Sequence, residues 1–323
     1  MTLNKTALIL ALASLLSVGT TAAQEAYPLR PVTIVVPYPA GGTSDVQIRM
    51  IQEPLSKELG QPIIIDNRPG ASGALAAHFV AKAKPDGYTL LFPNNGVLIA
   101  PLLTETANYD ALKDFKPVSL VSLVPMVLVS SKNVPAANLR DFLEYVKKQP
   151  HGVMYASAGT ASYGHLASTR FAQMAGINLT HVPYKGEANT TMAVRTGEVQ
   201  MLLTTPSANM LGQVKEGNLN LLGVATEQPS PVVPGAEPIV KTLPGFTSEV
   251  WFGLLAPAGT PDDVVQKLNA AVRKVIAPDE IRAKMLITGA VPTSSTPAEF
   301  ASMMTSETAQ WRDIIAKNHL QAD

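Results

Sequence analysis

Cysteine is absent from the 323 residues. That excludes disulfide frameworks, thiolate metal sites, cysteine nucleophiles and lipid anchors carried on a thiol. Charge is sparse too: Asp, Glu, Lys and Arg together make up 15 %, and 25 basic residues face 25 acidic ones. With no basic excess to neutralise a phosphate backbone, nucleic acid is not expected as a partner. Aromatic residues are only 6 %. What the chain does have is 46 % apolar residues, 26 prolines and 22 glycines. That balance is ordinary for a globular protein, and the length suggests two domains with adequate cores.

The first 23 residues read as a secretory leader. Lys5 charges the start, Ala7 to Leu16 is almost unbroken apolar, and Thr21-Ala22-Ala23 offers small residues before Gln24. The apolar run is shorter than the roughly 20 residues that span a bilayer, and no later stretch reaches that length. Lys5 leaves with the leader, so the mature chain has one acidic residue in excess. An exported, periplasmic protein is expected.

Beyond the leader, short apolar runs alternate with helical patterns. Val32 to Val36 is β-branched and nearly continuous, as in a strand buried on both faces. A helix capped by Ser44 or Thr43 is expected to run to about Leu59 and stop at Gly60. Strands at Pro62 to Ile65 and Tyr88 to Phe92 flank an Ala-rich helix from Ala74 to Lys82. This alternation builds a parallel sheet with helical crossovers. The pattern restarts after a strand-like stretch from Val118 to Ser130, interrupted by Pro125. Glu249 to Leu255 is again strand-like, and helices opening at Pro261 and Pro297 have no sheet of their own. They are expected to return to the first unit. The fold class is α/β, with two α/β lobes joined by a two-strand hinge. Residues 24–124 and 249–323 form lobe 1, and residues 125–248 form lobe 2. A cleft between such lobes is a usual place for a ligand.

Two loops carry the functional signal. Pro37-Tyr38-Pro39-Ala40-Gly41-Gly42-Thr43-Ser44-Asp45 follows a buried strand and opens a helix. Free N–H groups and the helix dipole attract anions there, and glycines admit a ligand close to the main chain. The loop reads either as a carboxylate or phosphate cradle or as a Gly-rich turn with a capping Ser. Tyr155-Ala156-Ser157-Ala158-Gly159-Thr160-Ala161-Ser162 repeats the design in the second unit. Facing loops favour an anionic ligand with two polar ends.

These segments, with Asn67-Arg68-Pro69-Gly70-Ala71, Pro85-Asp86-Gly87-Tyr88-Thr89-Leu90-Leu91, Val182-Pro183-Tyr184-Lys185-Gly186 and Gly197-Glu198-Val199, run in family order. The chain resembles the Bug-type periplasmic receptors of tripartite tricarboxylate transporters. The resemblance implies a periplasmic-binding-protein-like fold closing on an organic carboxylate; the two opposed polar loops fit a dicarboxylate best, either aliphatic or aromatic such as terephthalate. It also implies delivery to an integral membrane permease. The implied contacts are Ala40, Gly41, Gly42, Ser157, Gly159, Thr160, Ala161 and Ser162; Tyr38, Asn94, His165, Tyr184 and Thr204 are further candidate contacts read from the residues. Asp45 is included as a group that caps the loop or holds water, since like charges repel. Ala156 stands where the family often has glycine, and Glu187 to Thr191 departs from its usual Pro-containing helix start.

Weaker signals point elsewhere. Ser162 and His165, one helical turn apart, suggest an exported serine hydrolase, but the G-x-S-x-G elbow is absent. A ligand-sensing partner of a signalling protein would share this fold. Gly159 to His165 has P-loop spacing with His165 where lysine is required. His78, His151, His165, His181 and His319 are scattered, so no metal site is expected. No catalytic residue and no cofactor is assigned, and the protein is expected to be a monomer. Whether Lys185 or Arg195 charges the cleft, and whether Tyr163 or Trp251 lines it, stays open.

Overall fold

The computed structural model describes residues 27–321; the expected leader lies outside them. Two sheets divide these residues. In the first, β1 (Val32–Val36) pairs in parallel with β2 (Ile63–Asn67) and β3 (Thr89–Leu91). The β-branched run is buried on both faces. Val32, Ile34 and Val36 join one hydrophobic cluster and Val35 the opposite one. The later strands β4 (Phe115–Pro125), β10 (Glu249–Pro257) and β11 (Val291–Pro292) complete the order β11-β4-β10-β3-β1-β2. Here β10 runs antiparallel to both β3 and β4.

The second sheet contains β5 (Val127–Ser131), β6 (Val153–Ser157), β7 (Leu179–Pro183), β8 (Met201–Thr204) and β9 (Leu219–Val224), in the order β7-β6-β8-β5-β9. The strand-like stretch from Val118 to Ser130, which Pro125 interrupts, is two strands in different sheets, separated by Met126 alone. Met126 N donates to Ser248 O at 3.0 Å, and Ala225 N donates to Met126 O at 2.8 Å. The outgoing and returning chains are thus bonded side by side where they pass between sheets.

Helices cover both faces of each sheet. On the first, α1 (Thr43–Leu59), α8 (Asp262–Ile276) and α9 (Asp279–Ile287) bury one face. The other face takes α2 (Ala74–Ala81), α3 (Gly96–Leu103) and α10 (Pro297–Lys317). The second sheet has α4 (Leu139–Lys147) and α5 (Tyr163–Ala175) on one face, with α6 (Glu187–Thr196) and α7 (Ala208–Lys215) on the other. Gly60 ends α1 in the left-handed conformation, φ 72°, donating to Ser56 O. Thr296 and Glu299 form a reciprocal capping box at the start of α10. The C-terminal helices do return to the first sheet, but α10 also reaches the second unit. Trp311, Ile314 and Ile315 pack with Leu166 of α5 and Ile99 of α3, a third tie between the lobes. Among the described residues no helix is long and apolar enough to cross a membrane.

Candidate functional site

The first loop follows β1 and opens α1. The cap residue is Gly42, extended at φ −74° and ψ 169°, with no side-chain cap. The expected cap by Ser44 or Thr43 is therefore not formed. The carboxylate of Asp45 bonds the loop instead, accepting Gly41 N at 2.9 Å and Arg49 Nε at 2.9 Å. The hydrogen bond from Arg49 holds the Asp45 carboxyl down at about 2. With no capping side chain, the N–H groups of Thr43 and Ser44 point out of the first turn without a helical acceptor. The second loop is built differently. Ser162 caps α5, its hydroxyl accepting His165 N at 3.3 Å. Tyr163 and Gly164 then carry the outward N–H groups.

Thr43, Ser44, Tyr163 and Gly164 all line one cavity of about 450 Å³ between the sheets. A second cavity of about 640 Å³ adjoins it and shares Tyr38, Asn94, Ala158, Ser162, Tyr163 and Val250. Among the described residues neither lining includes a charged side chain or a histidine. The walls of the first are Val124 and Met126, Leu202 and Leu203 of β8, and Val250 and Phe252 of β10. The Tyr38 hydroxyl donates to Asn94 Oδ1 at 2.6 Å, and the Tyr163 hydroxyl donates to Glu249 O at 2.9 Å. Burial raises both phenols, Tyr38 to about 12 and Tyr163 further, so both stay protonated at neutral pH.

Of the residues expected at the site, Tyr38, Gly42, Asn94, Ser157, Ser162 and Thr204 line the first cavity, and Gly159, Thr160 and Ala161 line the second. Five stand apart. Ala40 and Gly41 lie on the exposed outer turn of the first loop. Asp45 is buried behind that loop. The Tyr184 hydroxyl is engaged by Glu198 at 2.7 Å. His165 sits beneath the second loop, its Nδ1 accepting Ala161 N at 3.0 Å. The hydrolase pair is therefore not assembled: Ser162 Oγ meets the backbone N–H of His165, not its ring. Lys185, Arg195 and Trp251 line neither cavity. The residues missed are mainly the strand-borne walls and His181, whose Nε2 lies 2.6 Å from Ser157 Oγ. Among the described residues no group of three His, Cys, Asp or Glu is placed to hold a metal ion.

Two α/β lobes with crossing strands around a cleft define the architecture of a periplasmic binding protein. Residues 47–320 match the model of the tripartite tricarboxylate transporter family receptor, and the chain belongs to that family. It is 30 % identical over 295 residues to the protein BugT of Bordetella pertussis, covering 90 % of each chain. The R. palustris protein Rpa4515, solved with adipate, is 32 % identical with a TM-score of 0.74, covering 91 % of this chain and 99 % of that one. MatC from Rhodopseudomonas palustris, solved with bound malate, is 33 % identical with a TM-score of 0.70, covering 90 % and 100 %.

Proposed function

We propose that the mature chain is a periplasmic receptor that closes its lobes on an organic dicarboxylate with an apolar body and presents it to an integral membrane permease. One observation carries this reading. Two helix N-termini, Thr43-Ser44 of α1 and Tyr163-Gly164 of α5, border one cavity from opposite sheets. Each helix start carries roughly half a positive charge and unbonded N–H donors. A carboxylate at each end is then neutralised without a lysine or arginine. Tyr38, Gly42, Asn94, Ser157, Ser162 and Thr204 are the proposed flanking contacts.

The apolar body follows from the walls between those ends. A ligand hydroxyl turned against Val124, Met126, Leu203, Val250 and Phe252 would be buried without a partner, at a cost of about 1–3 kcal/mol. Adipate in the R. palustris relative supports the diacid reading, and an aromatic diacid such as terephthalate offers the same two ends with a flat apolar body. Contacts to both lobes make the closed form the tighter binder, and the ligand shifts closure only by that difference in affinity.

The test is a thermal-shift screen of residues 24–323, refolded to remove co-purified ligand, against mono-, di- and tricarboxylates. Ligand at 100 times its Kd adds about 2.7 kcal/mol, which is several degrees of melting shift for a chain of this size. Stabilisation by apolar diacids is the expected result. A flat response to every acid overturns the reading.

A further inference from the structure

Two histidines that line neither of these cavities hold the second binding loop from below. His165 of α5 and His181 of β7 stack face to face, ring centroids 3.8 Å apart and planes 12° from parallel. Each reaches one end of the loop. His165 Nδ1 accepts Ala161 N at 3.0 Å. His181 Nε2 meets Ser157 Oγ at 2.6 Å, and that hydroxyl also lies 2.8 Å from Gly159 O. The loop needs such fastening. Ala161 sits at φ 58° and Gly159 at φ 136°, and an alanine in the left-handed region is strained unless its neighbours fix it.

The chemistry of the hold is specific. A ring nitrogen that accepts from a backbone N–H carries no proton, so His165 is the neutral Nε2–H tautomer. A proton on Nδ1 would set N–H against N–H and release Ala161. The titratable groups facing the His165 ring are His181, stacked on it, and Tyr155 of β6, 6.3 Å away. A second cation cannot join the first at stacking distance without strong repulsion.

We infer that His165 and His181 are positioning residues for ligand binding, and that the binding loop keeps its shape only while His165 is neutral. The inference rests on the receptor reading above. Burial and the neighbouring His181 hold His165 down at about 4, so release belongs to acid conditions, with binding intact at neutral pH.

Three variants test this, with adipate and terephthalate as probes at pH 7 and pH 4. His165→Leu removes the acceptor and is expected to weaken binding at pH 7 by about tenfold, the worth of one well-made hydrogen bond. His165→Asn places a carbonyl oxygen near the Nδ1 position that takes no proton in this range. It is expected to recover most of that loss and to show a smaller fall between pH 7 and pH 4 than wild type. Protonation of the probe itself is common to both proteins and cancels in the ratio. His181→Gln, whose amide stands near Nε2, is expected to bind more tightly than His181→Leu. Equal pH profiles for wild type and His165→Asn, or unimpaired binding by His165→Leu, would overturn the inference. Imidazole nitrogen NMR on the ligand-free protein decides independently of any ligand. An unprotonated Nδ1 on His165 at pH 7 is expected, and a protonated one refutes the hold. If neither probe binds wild type while Nδ1 is unprotonated, the ligand assignment fails and the loop fastening stands.

Discussion

Removing Trp311 should uncouple the end of α10 from the second lobe at a measurable cost. The indole is 1 % exposed and packs among Ile99, Leu166, Ile314 and Ile315. Its ring meets the Tyr163 ring edge-on at 5.3 Å. Its Nε1–H donates at 2.9 Å to Glu307, whose carboxylate also accepts from Trp251 Nε1 and Asn95 Nδ2. Truncation to alanine loses the buried ring and leaves a cavity, about 3–5 kcal/mol. The half-buried Glu307 loses one of its three donors, about 1–3 kcal/mol more. Trp311→Phe keeps most of the ring and should cost only that second part. Urea unfolding followed by fluorescence measures both. At about 2–4 °C per kcal/mol, the alanine variant should melt at least about 8 °C lower. Equal losses for the two variants, or less than about 1 kcal/mol for alanine, would refute the packing argument.

Ser162→Ala should weaken carboxylate binding and cost about 0.5–2 kcal/mol through loss of the α5 cap. Ester cleavage present in wild type and abolished in this variant would restore the hydrolase alternative. Gly253→Ala drives a Cβ into the Phe300 ring, and such overpacking should cost about 1–3 kcal/mol by thermal melting. Glu249, at the start of β10, is raised to about 7 by burial and by Glu227. The folded chain therefore holds a proton there that the unfolded chain loses near 4.5. Its contribution is full below that value and is lost as pH rises to about 7. Glu249→Gln should flatten this fall, and the same pH slope in both proteins would contradict it. His165 has the opposite sign. The unfolded ring takes a proton below about 6.5 and the folded one only near 4, so acid destabilises over that interval.

Local chemistry made much of this legible. The run Val32 to Val36 announced a strand buried on both faces, Gly60 marked a helix end, and the two small-residue loops lie where strands feed helices. What failed was long-range. Val118 to Ser130 reads as a strand-like stretch interrupted by Pro125; only pairing shows that its halves belong to two different sheets, parted by Met126. The helix Gly96–Leu103 is apolar all round and contains Pro101, so no amphipathic period reveals it. The cavity walls Leu203, Val250 and Phe252 come from strands far apart in the chain, with ordinary core composition. His181 becomes visible as a partner of the binding loop only once the β6–β7 register sets it beside Tyr155.

Calorimetric titration of adipate and terephthalate into refolded residues 24–323, at several temperatures, tests most directly whether a dicarboxylate is held between the two helix starts. The expected result is one site per chain with a negative heat-capacity change, the mark of an apolar body leaving water, and much weaker binding of the matching monocarboxylates. No heat with either diacid, or equal affinity for monoacid and diacid, would contradict it.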